Sequence, residues 1–312
     1  MHHELWTIPT AMQLILDDVG WMYGRDQRWE NMPSRTGLPR PHVLEDYVAI
    51  NEVGRRANMR IAAPFVLGEW DTTGLLRHVT YATWEGENWN GSPWYNAEEA
   101  EKIVDYVNSA EFIEPCVHGL MHDVFYKGEN ICGQEFFWPE GLVRDGEARL
   151  APEWYIREHL DAFFKLYETA GFRKKLRCFV SPAGAGDAWK TPELATILRD
   201  YGIQYWCNAG IVHSIVQAGI LINLPTRPLA PWEAYDLDPD ALEPFSPEEA
   251  GLISGHWPNV LRFNPKKNLE NLDAWERYFD RHAEIFGIIL ARDIEFAEYQ
   301  QFYKSHCAVT ET

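Results

Sequence analysis

Leu14-Ile15-Leu16-Asp17-Asp18-Val19-Gly20 sets two adjacent carboxylates directly after an apolar run. Successive side chains of a strand point to opposite faces, so a buried strand does not ordinarily end on two charges. Where the strand gives out the backbone turns, and both carboxylates can reach one cavity. One can hold a metal while its neighbour takes a proton from water that the ion acidifies. The same residues also suit a solvated turn in which Asp17 or Asp18 caps a following helix. The rest of the chain decides between these readings.

Outward from this stretch, apolar runs of strand length recur at 12–16, 60–67, 112–117, 178–180, 203–207, 252–254 and 287–290. Between them lie segments of helical period at 43–58, 97–108, 153–170, 191–201 and 269–286. Asn96 precedes Glu98 and Glu99 as a helix cap should, and Gly171 and Gly202 stand just past helix ends. Strand followed by helix, repeated, predicts a parallel sheet. Over this length the expected form is a closed or nearly closed (β/α) barrel in one domain, 1–312, with an open doubly wound sheet as the alternative. The barrel is favoured by where the polar residues fall: Asp17-Asp18, His118, Ser181-Pro182 and His256 all come at C-terminal strand ends. In a barrel these converge on one mouth.

Composition narrows the function. The chain has 312 residues, 46% of them hydrophobic, and a formal net charge of −19, which disfavours a nucleic-acid partner. No apolar stretch is long enough to span a bilayer, so no membrane association is expected. The N-terminal residues show no signal-peptide pattern, so a cytoplasmic location is expected. Five cysteines form no C-x-x-C pair, which points to reduced, mostly buried thiols rather than a disulfide framework or a cysteine zinc site.

Cys116-Val117-His118-Gly119-Leu120-Met121-His122-Asp123 is the second motif at a strand end. Histidines four apart can share one metal, although the spacing alone is weak. Joined with a carboxylate from the Asp pair, two imidazoles make a complete three-ligand site with open positions for water and substrate. Non-haem iron uses the same set, so the ligands do not fix the metal. Asp123 is an alternative candidate to orient a ligating histidine. In the third motif, 177–187, the strand breaks at Pro182 and Gly184, letting backbone approach a ligand closely, and Asp187 is a candidate to enter the site. An ordinary strand-to-helix loop explains the same residues. In the fourth, Leu252-Ile253-Ser254-Gly255-His256-Trp257, His256 is a candidate general acid.

The order Asp17-Asp18, His118-x-x-x-His122, Pro182-Ala183-Gly184 and a late His256 resembles the NodB-like polysaccharide deacetylases, of carbohydrate esterase family 4 type, over roughly residues 12–260. The resemblance implies a distorted (β/α)7 barrel. It implies Asp17 as catalytic base, Asp18, His118 and His122 as ligands of one divalent metal, and His256 as the acid that protonates the leaving amine. Zinc is the expected ion, with iron, cobalt and nickel as alternatives. The implied reaction is hydrolysis of a C–N amide bond, with N-acetyl removal from a sugar as the type. The sequence departs from the family pattern in having Val19 before Gly20, and Val180 and Ser181 where the family has an arginine and a proline. The family's arginine tunes the base, and Arg177 is the nearest cation that could replace it. The family's Asp-Trp motif has only a poor counterpart in 205–208.

Of fourteen tryptophans, Trp84, Trp89, Trp94, Trp138 and Trp257 lie in loops expected at the mouth. Aromatic faces there suit stacking on sugars or flat heterocycles, with core packing as the alternative. Trp89 and Trp257 join Pro182 and Gly184 as substrate-binding candidates. The expected partner is a small-molecule or oligosaccharide substrate, and self-association into a homo-oligomer stays open. Competing functions are cyclic amide or ureide hydrolysis on the same fold, carbohydrate binding at a degenerate site, and iron-dependent oxygenation. Stretches 84–95 and 136–152 read as long loops, and 225–249, rich in proline and acidic residues, has no assigned role.

Overall fold

The computed structural model describes residues 10–24, 38–139, 148–184, 190–207, 215–222, 227–247, 249 and 251–290. In chain order, β1 (Ala11–Asp17), α1 (Leu44–Arg56), β2 (Ile61–Val66), α2 (Ala97–Ser109) and β3 (Ile113–Gly119) form two strand–helix–strand units. Two small hairpins follow, β4 (Val124–Tyr126) with β5 (Glu129–Cys132), and β6 (Phe137–Pro139) with β7 (Ala148–Leu150). The alternation resumes with α3 (Glu153–Ala170), β8 (Cys178–Val180), α4 (Pro192–Asp200) and β9 (Tyr205–Cys207). Three short strands, β10 (Ile215–Gln217), β11 (Ile220–Ile222) and β12 (Arg227–Pro228), lead to β13 (Leu252–His256), α5 (Leu272–Phe286) and β14 (Ile289–Leu290).

The main sheet runs β10-β11-β9-β8-β3-β2-β1-β13-β12, with β14 also paired to β1. Every pairing in it is parallel except β10 with β11. The result is a mixed α/β fold on a curled half-barrel sheet. Among the described residues no pairing joins β10 to β12, so of the closed or nearly closed barrel expected from the repeat they show the curled, open part. No α-helix follows β9 before β13 among the described residues.

Parallel strands covered on both faces read as continuous apolar runs, which is why β1 was legible: all its residues are buried. Alternation then sorts them. Leu14 and Leu16 pack in the large core with the helices, as do Phe65, Val117, Phe179 and Ile253. Ile15, Ala62, Cys116, Cys178, Val180, Cys207 and Leu252 form a second cluster on the other face, the inside of the curl. Tyr205 and Leu221 belong to the same cluster, and its three buried thiols serve as small hydrophobes. Continuing that alternation, two residues past Ile15 and Cys116 and four past Leu252, puts Asp17, His118 and His256 on the same inner face, at the C-terminal ends of β1, β3 and β13.

The helix signals acted as read. Asn96 caps α2 by accepting from the Glu99 N–H at 3.2 Å, and Gly171 closes α3 with φ 93°. The segment of unassigned role is pinned to α5: Arg277 grips Asp240 with both Nε and Nη2, at 3.0 and 2.6 Å, and Arg281 donates to the carbonyls of Pro239 and Leu242. Among the described residues no helix is long and apolar enough to cross a membrane.

Candidate metal centre

Asp18 follows the last residue of β1 in a left-handed conformation, φ 63°, and His122 sits in the loop after β3 with φ 65°. Both conformations are costly for residues with a Cβ and persist only where their surroundings enforce them. They turn the three side chains together. Asp18, His118 and His122 are buried, and one ligand atom from each lies within 4.8 Å of the others. Asp18 Oδ1 stands 3.6 Å from His118 Nε2 and 3.9 Å from His122 Nε2. These spacings exceed a hydrogen bond. Ligands about 2.0–2.2 Å from one tetrahedral ion would stand roughly 3.3–3.6 Å apart, so the cluster is close to the size a metal requires.

The imidazole tautomers agree. His118 Nδ1 is 2.7 Å from the Val180 carbonyl, an acceptor, so Nδ1 carries the proton and the Nε2 lone pair faces Asp18. His122 Nδ1 is 3.2 Å from Asp123 Oδ1, and Asn130 Nδ2 holds the other Asp123 oxygen at 2.8 Å. Asp123 therefore orients His122, the carboxylate–histidine arrangement usual behind a metal ligand.

Asp17 pairs in register with His256 of β13, and Ser254 Oγ donates to Asp17 Oδ2 at 3.2 Å. Asp17 is 5% exposed, and its Oδ1 is buried without a hydrogen-bond partner among the described residues. Burial first, then the charge of Asp18, pushes its carboxyl up to about 8, against a smaller lowering by Ser254. A base near neutrality suits proton transfer. Arg177 does not tune it: it precedes β8 at the opposite end of the sheet, where its Nη2 donates to Glu114 Oε1 at 2.7 Å.

The turn after β8 lies beside the cluster, because the Val180 carbonyl holds His118. Pro182 is buried and Gly184 half-buried there, and Gln134 Nε2 donates to the carbonyls of Ala183 and Gly184 at 3.1 and 3.3 Å. Asp187 lies outside the described residues. The two tryptophans offered as stacking surfaces are elsewhere employed. Trp257 is 0% exposed, stacked on His42 with centroids 4.3 Å apart and edge-on to Tyr47, and Trp89 is 1% exposed against Trp84. Neither presents a face to a ligand, because each fills core volume. Trp94 and Trp138 keep part of their surface open.

Two residues that no motif marks hold the loops in place. Glu135, fully buried, accepts the backbone N–H groups of Leu120, Met121 and His122 at 2.8–3.1 Å. Glu69 Oε2 does the same for Met22, Tyr23 and Gly24 beyond the Asp pair, at 2.6–3.0 Å. His159 on α3 stands 2.8 Å from Glu135 Oε1 and 2.8 Å from the Thr80 carbonyl. The ring thus bridges the Glu135 carboxylate and the Thr80 loop, tying α3 to both. The one available signal was a lone acidic residue ahead of Phe136-Phe137.

Fold and site together define an α/β half-barrel with a carboxylate–imidazole cluster at its C-terminal strand ends. A solved structure from Mycobacterium smegmatis, assigned provisionally as a polysaccharide deacetylase, superposes with a TM-score of 0.50 at 12% identity, covering 99% of this chain and 96% of that one. The BA3943 pseudoenzyme of the CE4 family from Bacillus anthracis aligns with a TM-score of 0.44 at 14% identity, over 93% of this chain and 66% of that one. Its mutant with restored activity aligns with a TM-score of 0.43 at 15% identity, over 93% and 68%. The chain thus spans about two thirds of the length of those two. No family model and no curated protein matches the sequence.

Proposed function

We propose that the protein is a metal-dependent hydrolase of C–N amide bonds, with removal of an N-acetyl group from a carbohydrate as its type reaction, on a divergent (β/α)7 barrel of NodB type. The observation that carries this reading is the convergence of a buried three-ligand cluster with Asp17 and His256 on one inner face. Asp18, His118 and His122 would hold the ion, zinc first among divalent candidates. When bound, it would polarise the amide carbonyl and acidify water.

The chain's own residues supply the rest. Asp17 takes the proton of the attacking water, with Ser254 holding its second oxygen in place. His256, opposite Asp17 across β1 and β13, gives a proton to the departing amine. Pro182 and Gly184 border the space where the acyl group sits. The alternative reading, hydrolysis of a cyclic amide or ureide, would use the same groups on a different substrate.

The test is elemental analysis of the purified protein beside a His118→Ala/His122→Ala double variant, followed by assays on acetylated sugars and cyclic amides. One divalent metal per chain, lost in the variant, with turnover on either substrate class is the expected outcome. Absence of metal from the wild type after reconstitution would remove the proposal.

A further inference from the structure

The N-terminal strand ends, opposite the metal centre, carry a second concavity. A cleft of about 440 Å³ is lined by Arg60, Glu111, Glu114, Lys174, Lys175 and Arg177, at or just ahead of the starts of β2, β3 and β8. Four cations gather there against two carboxylates in a chain whose net charge is −19.

Internal pairing accounts for part of this charge. Arg177 donates to Glu114 Oε1, and Lys174 Nζ donates to the carbonyls of Ala110 and Ile113. Arg60 is different. Its Nε is buried without a hydrogen-bond partner, and it forms no ion pair with a carboxylate among the described residues. It also faces a like charge: burial first, then Arg60, brings the Lys174 ammonium down to about 8. Lys175 is exposed at the rim. Across the cleft Glu114 Oε2 is a buried acceptor with no donor. An orphaned guanidinium donor, an orphaned carboxylate acceptor and two surplus positive charges are unfavourable together unless something occupies the space between them.

We propose that this cleft binds a small phosphomonoester. The phosphate dianion balances the surplus charge and matches the fork of Arg60, with Lys175 closing over it. A hydroxyl on the organic part donates to Glu114 Oε2. The volume lies within the range of small-molecule sites, about 300–1,000 Å³, and leaves room for more than a bare phosphate.

Isothermal titration at low salt with glycerol 3-phosphate, inorganic phosphate and glycerol tests this in the wild type and in Arg60→Gln, Lys175→Gln and Asp18→Asn variants. Glycerol 3-phosphate should bind with one equivalent, inorganic phosphate more weakly and glycerol not at all. Arg60→Gln should weaken the ester by about tenfold or more, the scale of a lost charge-assisted bond, and exposed Lys175→Gln by less. Asp18→Asn should leave binding unchanged. The proposal fails if the wild type takes up no ester at millimolar concentration, or if both cation variants bind as it does. It fails equally if inorganic phosphate matches the ester, or if binding disappears in Asp18→Asn, which would move the anion to the metal centre.

Discussion

Three successive backbone N–H groups converging on one carboxylate is an expensive arrangement to leave unmade, because each buried donor without a partner costs about 1–3 kcal/mol. Glu69 and Glu135 each meet such a trio, one beside the Asp pair and one beside His122. The left-handed φ of His122 is thereby enforced by a residue thirteen positions away that holds its backbone N–H and not its ring. Glu135→Gln keeps one acceptor oxygen but removes the buried carboxylate that His159 and three N–H groups share. It should destabilise the protein by about 3–5 kcal/mol and weaken metal binding about 10- to 100-fold. Thermal unfolding and a competitive metal titration measure the two effects, and wild-type values in both would show that Glu135 positions nothing. Asp17→Asn should retain metal yet lose at least about a hundredfold in turnover, and undiminished turnover with metal bound would take Asp17 out of the mechanism. The members of the buried Asp-His-His cluster were legible because Asp-Asp and His-x-x-x-His have spacings of their own. Glu69 and Glu135 were not, since a lone glutamate acquires its meaning only from the loop that folds onto it.

Where β3 ends, a single hydrogen atom decides the geometry. Gly119 has φ 121°, and a Cβ there would run into the Glu135 carboxylate. Gly119→Ala should therefore both strain the backbone, by about 1–3 kcal/mol, and push Glu135 away from the His122 loop. Gly202, φ 82° with nothing near its added Cβ, supplies the comparison. Gly202→Ala should lower the melting temperature alone, whereas Gly119→Ala should lower it and weaken metal affinity too; equal metal affinity in the two variants would contradict the link from strand end to ligand. Elements differed in legibility for a physical reason. Long buried strands and capped helices announce themselves through apolar runs and end residues, and β1, β3, α2 and α3 follow their expected ranges to within about two residues. The strands β10, β11 and β12 span only two or three residues, too few for any period to show, and the hairpin of β6 and β7 falls within the stretch 136–152 that reads as loop. The tryptophans misled in the other direction, because residue type alone does not separate a rim from a core, and Trp89 and Trp257 turned out to be core.

At the scale of the molecule, the sheet separates two charged sites, a carboxylate-rich centre at its C-terminal edge and a cationic cleft at the other. The first of these predicts how stability depends on pH. The Asp17 carboxyl has an ordinary value of 3.8 and is pushed up to about 8 in the folded chain. Between these limits the folded protein keeps a proton that the unfolded chain has already released, so folding is favoured by acid and loses that advantage as pH rises from about 4 to about 8. Above that window both forms are ionised and the cost of a buried carboxylate beside Asp18 is carried in full. Lys174, lowered to about 8, acts above this range and in the opposite sense, since its unfolded chain holds the extra proton. Metal-free protein, prepared by chelation, should therefore lose melting temperature relative to Asp17→Asn as pH is raised from 5 to 8, because asparagine cannot titrate. Adding a divalent metal should shrink the difference, as a nearby cation favours the carboxylate form. A difference that stays flat across that interval would mean that Asp17 ionises as an ordinary surface carboxylate, which would detach the base from the buried centre that its position at the end of β1 assigns it.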